Sequence, residues 1–329
     1  MRQKISIAYV FDDKFTDLFI VSAYSAAKNT SAGITVYVVD CGISKKNRTK
    51  ILQLSGKCEN ILTIKSGQPE RVSAIEKLPI PPHFSSAIFY RLAISKIFPE
   101  LERVIYVDCD TIVSGDIISL WDEDLGGRPF GAVEEDGNFF CKKTKLRRQM
   151  ELGLSSEKKY YNSGVLLIDC KEFERSKIFE RVVEQVEKSE VPLICPEQDA
   201  MNLCLENHEH VALSPKYNFM PFTPLGKQCN EKIIPIIVHY AGAKPWETNK
   251  KLTKFLHSCG LFKFSTKFLQ IFWKYANEVG FTETDKNNCD ATLNFFYKRL
   301  FQPIERIASK IGNMLLDFMK KYFKFGRHG

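Results

Sequence analysis

Apolar positions in the first two-thirds of the chain fall into two alternating patterns. Residues 5–10, 34–39, 61–64 and 104–107 are short apolar runs closed by polar residues, which predicts strands. Between the first two, Leu18, Val21, Ala23 and Ala26 recur at helical spacing in a segment ending near Lys28. Ser44 offers an N-cap hydroxyl to a helix running through Leu54. Residues 85–98 read as a helix that stops at Pro99. Residues 130–133, 164–168 and 233–238 predict further strands, and helices are expected within 169–186 and 197–205. Strands alternating with helices predict an α/β fold with a largely parallel sheet.

Past about residue 250 the strand pattern stops. Leu293, Phe296, Leu300, Ile304, Ile307, Ile311, Leu315, Phe318 and Tyr322 follow a spacing of three or four. Pro303 divides them into two helices or opens the second. The expected organisation is an α/β domain over residues 1–250 and a helical, basic region over 251–329. The chain carries a net charge of +8, and from Ala291 onward eight Lys and Arg face only Glu305 and Asp317. An apolar stripe flanked by such charge is the pattern of a helix on an anionic membrane surface. A helix packed on its own domain with a solvated basic face is the alternative. No nucleic-acid module accompanies the charge, so no nucleic acid is expected as partner.

At 44% apolar and 26% charged residues, the composition suits a globular chain. No run approaches the roughly 20 apolar residues that cross a bilayer. The run after Arg2 and Lys4 ends at Asp12-Asp13 without a small-residue cleavage site, so it reads as a strand and not a leader. Ten cysteines include no Cys-x-x-Cys pair, which disfavours a thiolate zinc site; with no secretion signal they fit a reducing cytoplasm.

Ligands of open α/β sheets gather at the carboxyl ends of strands. Here those ends are acidic: Asp12, Asp40 and Asp108. Asp40 alone reads as a cap for the helix behind it. Asp108-Cys109-Asp110 is more specific. Alternate residues of an extended segment point the same way, so the two carboxylates form a hard-oxygen pair suited to Mg²⁺ or Mn²⁺ and a diphosphate. The similar Asp122-Glu123-Asp124 precedes Gly126-Gly127 and reads as a solvated turn. His239 ends another apolar strand and opens a loop containing Gly242 and Lys244. Its imidazole suits a third Mn²⁺ ligand and the ammonium suits phosphate, or the segment is a plain turn with a surface lysine. Asn162-Ser163-Gly164 heads a strand, and Pro196-Glu197-Gln198-Asp199 opens a helix, where capping alone would account for it. A phosphate-loop NTPase and a dinucleotide dehydrogenase are disfavoured, because neither glycine motif is present.

Taken in order, these stretches resemble the retaining glycosyltransferase family that contains glycogenin and the bacterial lipopolysaccharide galactosyl- and glucosyltransferases. The resemblance is greatest to the bacterial α-1,4-galactosyltransferase branch. It rests on Phe11-Asp12-Asp13-Lys14-Phe15, Phe89-Tyr90-Arg91-Leu92, Val107-Asp108-Cys109-Asp110 with Leu120-Trp121-Asp122, and Tyr161-Asn162-Ser163-Gly164-Val165. It continues through Glu197-Gln198-Asp199-Ala200-Met201-Asn202, Asn218-Phe219-Met220-Pro221, and His239-Tyr240 to Lys244-Pro245-Trp246.

The resemblance implies a single Rossmann-like, GT-A type domain with a mixed, mostly parallel sheet. It implies an enzyme moving galactose or glucose from UDP-galactose or UDP-glucose to a glycan or glycolipid acceptor, with Mn²⁺ or Mg²⁺. Asp12, with Asp13 beside it, would read the uracil edge, and Phe15 would stack on that ring. Arg91 would reach the donor sugar and phosphates. Asp108, Asp110 and His239 would hold the metal, with Cys109 in the donor site between them. Asn162 and Ser163 would line the sugar pocket, and Gly242 and Lys244 would close over the diphosphate. Gln198 would stand beside the anomeric carbon. Its amide oxygen is a weak nucleophile, so attack from the face that UDP leaves is favoured; Asp199 or Glu197 as covalent nucleophile is the alternative. Lys14, where Asn is common, Glu197, where the nearest relatives carry Asp, and a shortened Gly242 to Lys244 loop depart from the family pattern. A glycogenin-like self-glycosylating primer, or a nucleotide-sugar-binding protein without turnover, are the competing functions. The expected location is the cytoplasmic face of the cell membrane, held peripherally by the tail.

Overall fold

The computed structural model describes residues 3–69, 72–78, 85–135, 149–155, 157–224, 232–241, 244–245, 262–264 and 266–281. The chain divides into a unit spanning Met1–Asn288 and a second, Cys289–Gly329, which lies outside the described residues together with the basic stripe expected there.

The first half runs β1 (Lys4–Phe11), α1 (Thr16–Asn29), β2 (Gly33–Asp40), α2 (Lys45–Lys57) and β3 (Ile61–Gly67). The short helices α3 (Ala87–Tyr90) and α4 (Ile94–Ile97) precede β4 (Arg103–Val107), β5 (Thr111–Val113) and α5 (Ile118–Trp121). Then come β6 (Phe130–Glu134), β7 (Tyr161–Asp169), α6 (Cys170–Arg175), α7 (Ile178–Lys188) and α8 (Pro196–Cys204). The described chain ends with β8 (Val211–Leu213), β9 (Phe222–Pro224), β10 (Ile237–His239), β11 (Phe262–Phe264) and α9 (Thr266–Val279).

Among the described residues, seven strands form one sheet in the order β3-β2-β1-β4-β7-β6-β8. β1 to β4 are mutually parallel neighbours, β6 and β8 are parallel, and β7 runs against both β4 and β6. The sheet is therefore mixed and mostly parallel, as the sequence implies. β1 is almost wholly apolar because both its faces are covered; Ile7, Ala8 and Tyr9 have no exposed surface.

α1 packs closely because its buried side carries small polar groups with partners. The Ser22 hydroxyl lies 3.2 Å from the Tyr9 hydroxyl and 2.9 Å from the Thr111 hydroxyl, and Ser25 Oγ accepts from the Val113 amide at 2.9 Å. α2 starts as expected, with Ser44 Oγ accepting from the Asn47 amide at 3.3 Å. Asp40 caps less than it braces: its carboxylate accepts from the Gly42 and Ile43 amides and pairs with Arg48 at 2.8 Å.

Several elements differ from the sequence reading. The helix expected over 85–98 is broken into α3 and α4 by a tight 3₁₀ turn at Arg91–Ala93. Residues 89–95 are all buried, so no single solvent face holds one long helix together. The helical segment within 169–186 is two helices, because Lys177 takes a left-handed conformation with φ 51° between them. The last apolar strand begins at Ile237 rather than residue 233, since Pro235 has no amide to give a ladder. Past residue 250 there is a further strand, β11, and α9 packs on α1 within the first unit. Tyr24 Oη donates to Glu278 at 2.8 Å and Asn29 Nδ2 to Tyr275 Oη at 2.7 Å, while Phe268, Phe272 and Tyr275 are buried. The aromatic spacing of α9 thus covers the domain's own core, so the compact unit runs past the boundary at 250 read from the sequence.

At the far edge of the sheet His210 stacks on Phe130 with centroids 5.2 Å apart and meets the edge of Tyr161 at 4.1 Å. Neither ring nitrogen has a hydrogen-bond partner among the described residues, and burial pushes its pKa down to about 4. A free histidine titrates near 6.5. Between those values the unfolded chain takes up a proton that the folded chain refuses, so stability falls as pH falls through this window. Urea unfolding should show a loss of roughly 2 kcal/mol between pH 7.5 and 5 that His210→Phe does not share. Parallel pH dependence in both proteins would contradict this.

Candidate active site

Two strand pairings bring the chemistry together. β4 ends at Val107, and Asp108-Cys109-Asp110 turns directly into β5. β10 lies antiparallel to β5 with His239 opposite Thr111, and the Tyr240 amide donates to the Asp110 carbonyl at 2.9 Å. Asp108, Asp110 and His239 each offer a ligand atom, and these atoms lie within 4.8 Å of one another. His239 Nε2 is 3.3 Å from Asp110 Oδ1 and 3.7 Å from Asp108 Oδ2.

The ring is held from behind. His239 Nδ1 lies 2.8 Å from Asn218 Oδ1, and Asn218 Nδ2 donates to Asn162 Oδ1 at 2.8 Å. That second bond fixes the Asn218 carboxamide with its oxygen towards the ring. The proton therefore belongs on Nδ1, and the Nε2 lone pair faces the carboxylates. A nitrogen lone pair and two carboxylates all accept, so a cation satisfies them together. One imidazole with two carboxylates is a donor set that fits Mn²⁺, with Mg²⁺ served by the oxygens. Gly164 of β7 passes so near that a Cβ there would stand 2.2 Å from His239 Cε1 and 2.7 Å from Asp108 Oδ2.

Two cations flank the carboxylates. Arg91 reaches both oxygens of Asp108, at 3.2 and 3.3 Å, donates to Ser163 Oγ at 3.2 Å, and lies 3.6 Å from Glu197. Its Nε is held by the Ile88 carbonyl at 2.9 Å, and Tyr106 Oη donates to Asp108. Lys244 Nζ pairs with Asp110 Oδ2 and donates to the Tyr240 carbonyl at 2.9 Å. Burial alone would raise Asp110; the Lys244 ammonium outweighs it and holds the carboxyl well below its usual range.

Next to this centre lies a buried polar cluster. Gln198 Oε1 accepts from the Ser163 amide at 3.0 Å and from Asn162 Nδ2 at 3.1 Å. Gln198 Nε2 donates to Tyr160 Oη at 3.0 Å and to Glu135 Oε2 at 3.1 Å. Ser163 Oγ donates to Glu197 Oε1 at 3.3 Å. Burial raises Glu197, with Arg91 opposing, and pushes Glu135 up to about 6.

Not every residue expected in the cleft faces it. Asp199 has no exposed surface; its Oδ1 accepts from Tyr160 Oη at 2.6 Å and its Oδ2 from the Ile194 and Cys195 amides, which caps α8. Asp13 Oδ1 accepts from the Ser44 amide and Asn47 Nδ2, tying α2 to the end of β1, and the Ser44 amide leads in lowering its pKa. Asp12 and Phe15 are half-buried. β1 and β4 are parallel with Ala8 opposite Tyr106, so Asp12 leaves the sheet at the same edge as Asp108. Burial leads in raising the Asp12 carboxyl. Cys109, which separates the two aspartates in sequence, is buried. Gly242 lies outside the described residues.

Glu135 and Tyr160 carry no role in the sequence reading. Tyr160 has no spacing that would single it out. Glu135 was within reach, because it closes an apolar strand just as Asp108 does.

The sequence profile described as Glycosyl transferase family 8 matches residues 6–250. General stress protein A of Bacillus subtilis is 30% identical over 239 residues, 66% of this chain and 78% of that one. A lipopolysaccharide 1,2-glucosyltransferase of Escherichia coli is 26% identical over 255 residues, 74% of this chain and 72% of that one. Among solved structures, the galactosyltransferase LgtC in complex with donor and acceptor sugar analogues superposes with a TM-score of 0.62 at 24% identity. The match covers 79% of this chain and 97% of that one. This last similarity is one of fold.

Gly164→Ala tests the centre directly. The added methyl displaces either the His239 ring or the Asp108 carboxylate. Mn²⁺ affinity, followed by the EPR signal of free Mn²⁺, should fall roughly tenfold or more. Wild-type affinity in a folded variant would show that these side chains do not bind metal together.

Proposed function

This chain belongs to glycosyl transferase family 8, and we propose that it is a retaining, UDP-sugar-dependent hexosyltransferase acting on a surface-glycan or lipopolysaccharide-type acceptor. The observation that carries this reading is the meeting of Asp108, Asp110 and His239 beside Lys244 and Arg91. A relative described as a lipopolysaccharide glucosyltransferase supports a hexose as the transferred sugar, glucose or its epimer galactose.

The difficult event is release of UDP, which gains negative charge as its bond to the anomeric carbon stretches. Asp108, Asp110 and His239 would hold Mn²⁺, or Mg²⁺ in its place, and the bound ion would supply Lewis-acid neutralisation of the diphosphate. Lys244, aligned by Asp110 and the Tyr240 carbonyl, adds a point charge for phosphate, with Gly242 in the same loop. Arg91 orients Asp108 and lies against Glu197 and Ser163, joining the diphosphate side of the cleft to its sugar side. Asp12 and Phe15, at the end of β1, receive the uracil. Cys109, Asn162 and Ser163 complete the donor pocket.

Asp199 is occupied with capping, and Glu197 is engaged by Arg91 and Ser163. Neither is left as a free nucleophile, which favours reaction on a single face. The acceptor oxygen bonds to the anomeric carbon on the side from which UDP departs. The acceptor proton passes to the leaving phosphate oxygen. Gln198, held at both ends of its amide, supports the developing positive charge by position. The basic residues past Ala291 fit a peripheral attachment to anionic lipid at the cytoplasmic face, with a glycolipid acceptor presented there.

Incubation with a panel of UDP-sugars and Mn²⁺ should reveal one that is hydrolysed and raises the melting temperature, since a bound ligand stabilises the fold by mass action. Asp110→Asn should lower kcat/KM for that sugar by roughly a hundredfold. No thermal shift and no hydrolysis with any UDP-sugar would refute the assignment. Removal of residues 294–329 should abolish co-sedimentation with anionic vesicles while leaving UDP-sugar hydrolysis intact; undiminished vesicle binding would refute the membrane role.

A further inference from the structure

The cluster around Gln198 contains a carboxylate to which the reaction above gives no task. Glu135 directly follows β6 and is 5% exposed. Its Oε2 accepts from Gln198 Nε2 at 3.1 Å and from Asn162 Nδ2 at 3.4 Å. The other ends of both carboxamides are pinned by backbone. Gln198 Oε1 accepts from the Ser163 amide at 3.0 Å, and Asn162 Oδ1 from the Gly164 amide at 2.9 Å. An ionised carboxylate only accepts, so one oxygen can hold two NH₂ groups at once. From Asn162 the path continues through Asn218 to the Nδ1 side of His239.

We propose that Glu135 is a positioning residue for the transfer reaction. Its carboxylate fixes the NH₂ ends of Gln198 and Asn162, and through Asn162 and Asn218 it steadies the ring of His239. Glu135 acts through these side chains and not on the sugar. The role in turnover rests on the transferase reading; the orienting geometry does not. Without the carboxylate each buried NH₂ group loses one of its two acceptors: Gln198 keeps only Tyr160 Oη and Asn162 only Gln198 Oε1, so both amides are held less firmly. Misplacement of a group beside the reacting carbon weakens turnover more than ground-state binding, because the donor is gripped chiefly at its diphosphate.

Two variants test this. Glu135→Gln keeps an acceptor oxygen in place and should retain kcat within about fivefold. Glu135→Ala should lower kcat roughly a hundredfold while KM for the UDP-sugar changes less than about twofold. Independently of turnover, the side-chain amide protons of Gln198 and Asn162, followed by NMR, should exchange about tenfold faster or more in Glu135→Ala and at the wild-type rate in Glu135→Gln. Should the alanine variant fail to fold, Glu135→Asp serves instead. It withdraws the carboxylate by one methylene and keeps the charge, so positioning predicts faster amide exchange and lower kcat. Wild-type amide exchange in Glu135→Ala or Glu135→Asp would overturn the proposal, as would a Glu135→Gln variant as inactive as Glu135→Ala. If the wild type turns over no UDP-sugar, the transferase reading falls, and the amide-exchange comparison still decides whether Glu135 orients the two amides.

Discussion

Asp108 and Asp110 are two like charges one residue apart, drawn largely out of water at the end of a buried strand. In so shielded a place their repulsion is worth several kcal/mol, and most of the surrounding chemistry answers it. Arg91 grips one carboxylate with its two terminal guanidinium nitrogens, Tyr106 donates to it, and Lys244 pairs with the other. His239 turns a lone pair towards both. The Arg91, Tyr106 and Lys244 contacts make the pair tolerable in the folded chain, while the His239 lone pair joins the carboxylates so that three acceptors aim at one point. Stability and ligand chemistry here share one electrostatic requirement.

The sheet supplies that arrangement through a reversal of direction. β4 arrives at the site with its carboxyl end, and β7, running the other way, departs from it. The Asp108 amide bonds to the Gly164 carbonyl at 2.8 Å, so the two segments are stitched together where the chemistry lies. Asn162 and Ser163 therefore reach the cleft from the start of a strand, while Asp12 and Asp108 reach it from strand ends. The short β5–β10 pair then carries His239 to the same point. Four stretches far apart in sequence meet without any long structureless loop among the described residues.

Much of this was legible in advance. Parallel strands buried on both faces read as unbroken apolar runs, so β1, β2 and β4 declare themselves, and acids at their ends mark the ligand edge. What the chain does not reveal in one dimension is how complete burial alters local structure. Residues 89–95 lose the one-sided pattern of a helix because every side is covered. A left-handed Lys177 and a proline inside an apolar run redraw boundaries by a few residues. Asp199 has the right neighbours in sequence, but its carboxylate turns back onto two amides at the start of α8. Glu135 follows an apolar strand as Asp108 does, but its partners Gln198 and Asn162 lie far along the chain and meet it only in three dimensions.

The aromatic wall formed by α9 separates similarity from integrity. The family match stops at residue 250, yet Phe268 packs on Phe219 at 5.0 Å, Phe272 on Tyr240 at 5.6 Å, and Tyr240 Oη donates to the Phe268 carbonyl at 2.6 Å. Tyr240 sits directly between His239 and the Lys244 loop. A truncation drawn where the family match ends would retain Asp108, Asp110 and His239 and strip the support behind them. The smallest self-sufficient fragment therefore extends at least to Phe281, whose ring closes on Phe272.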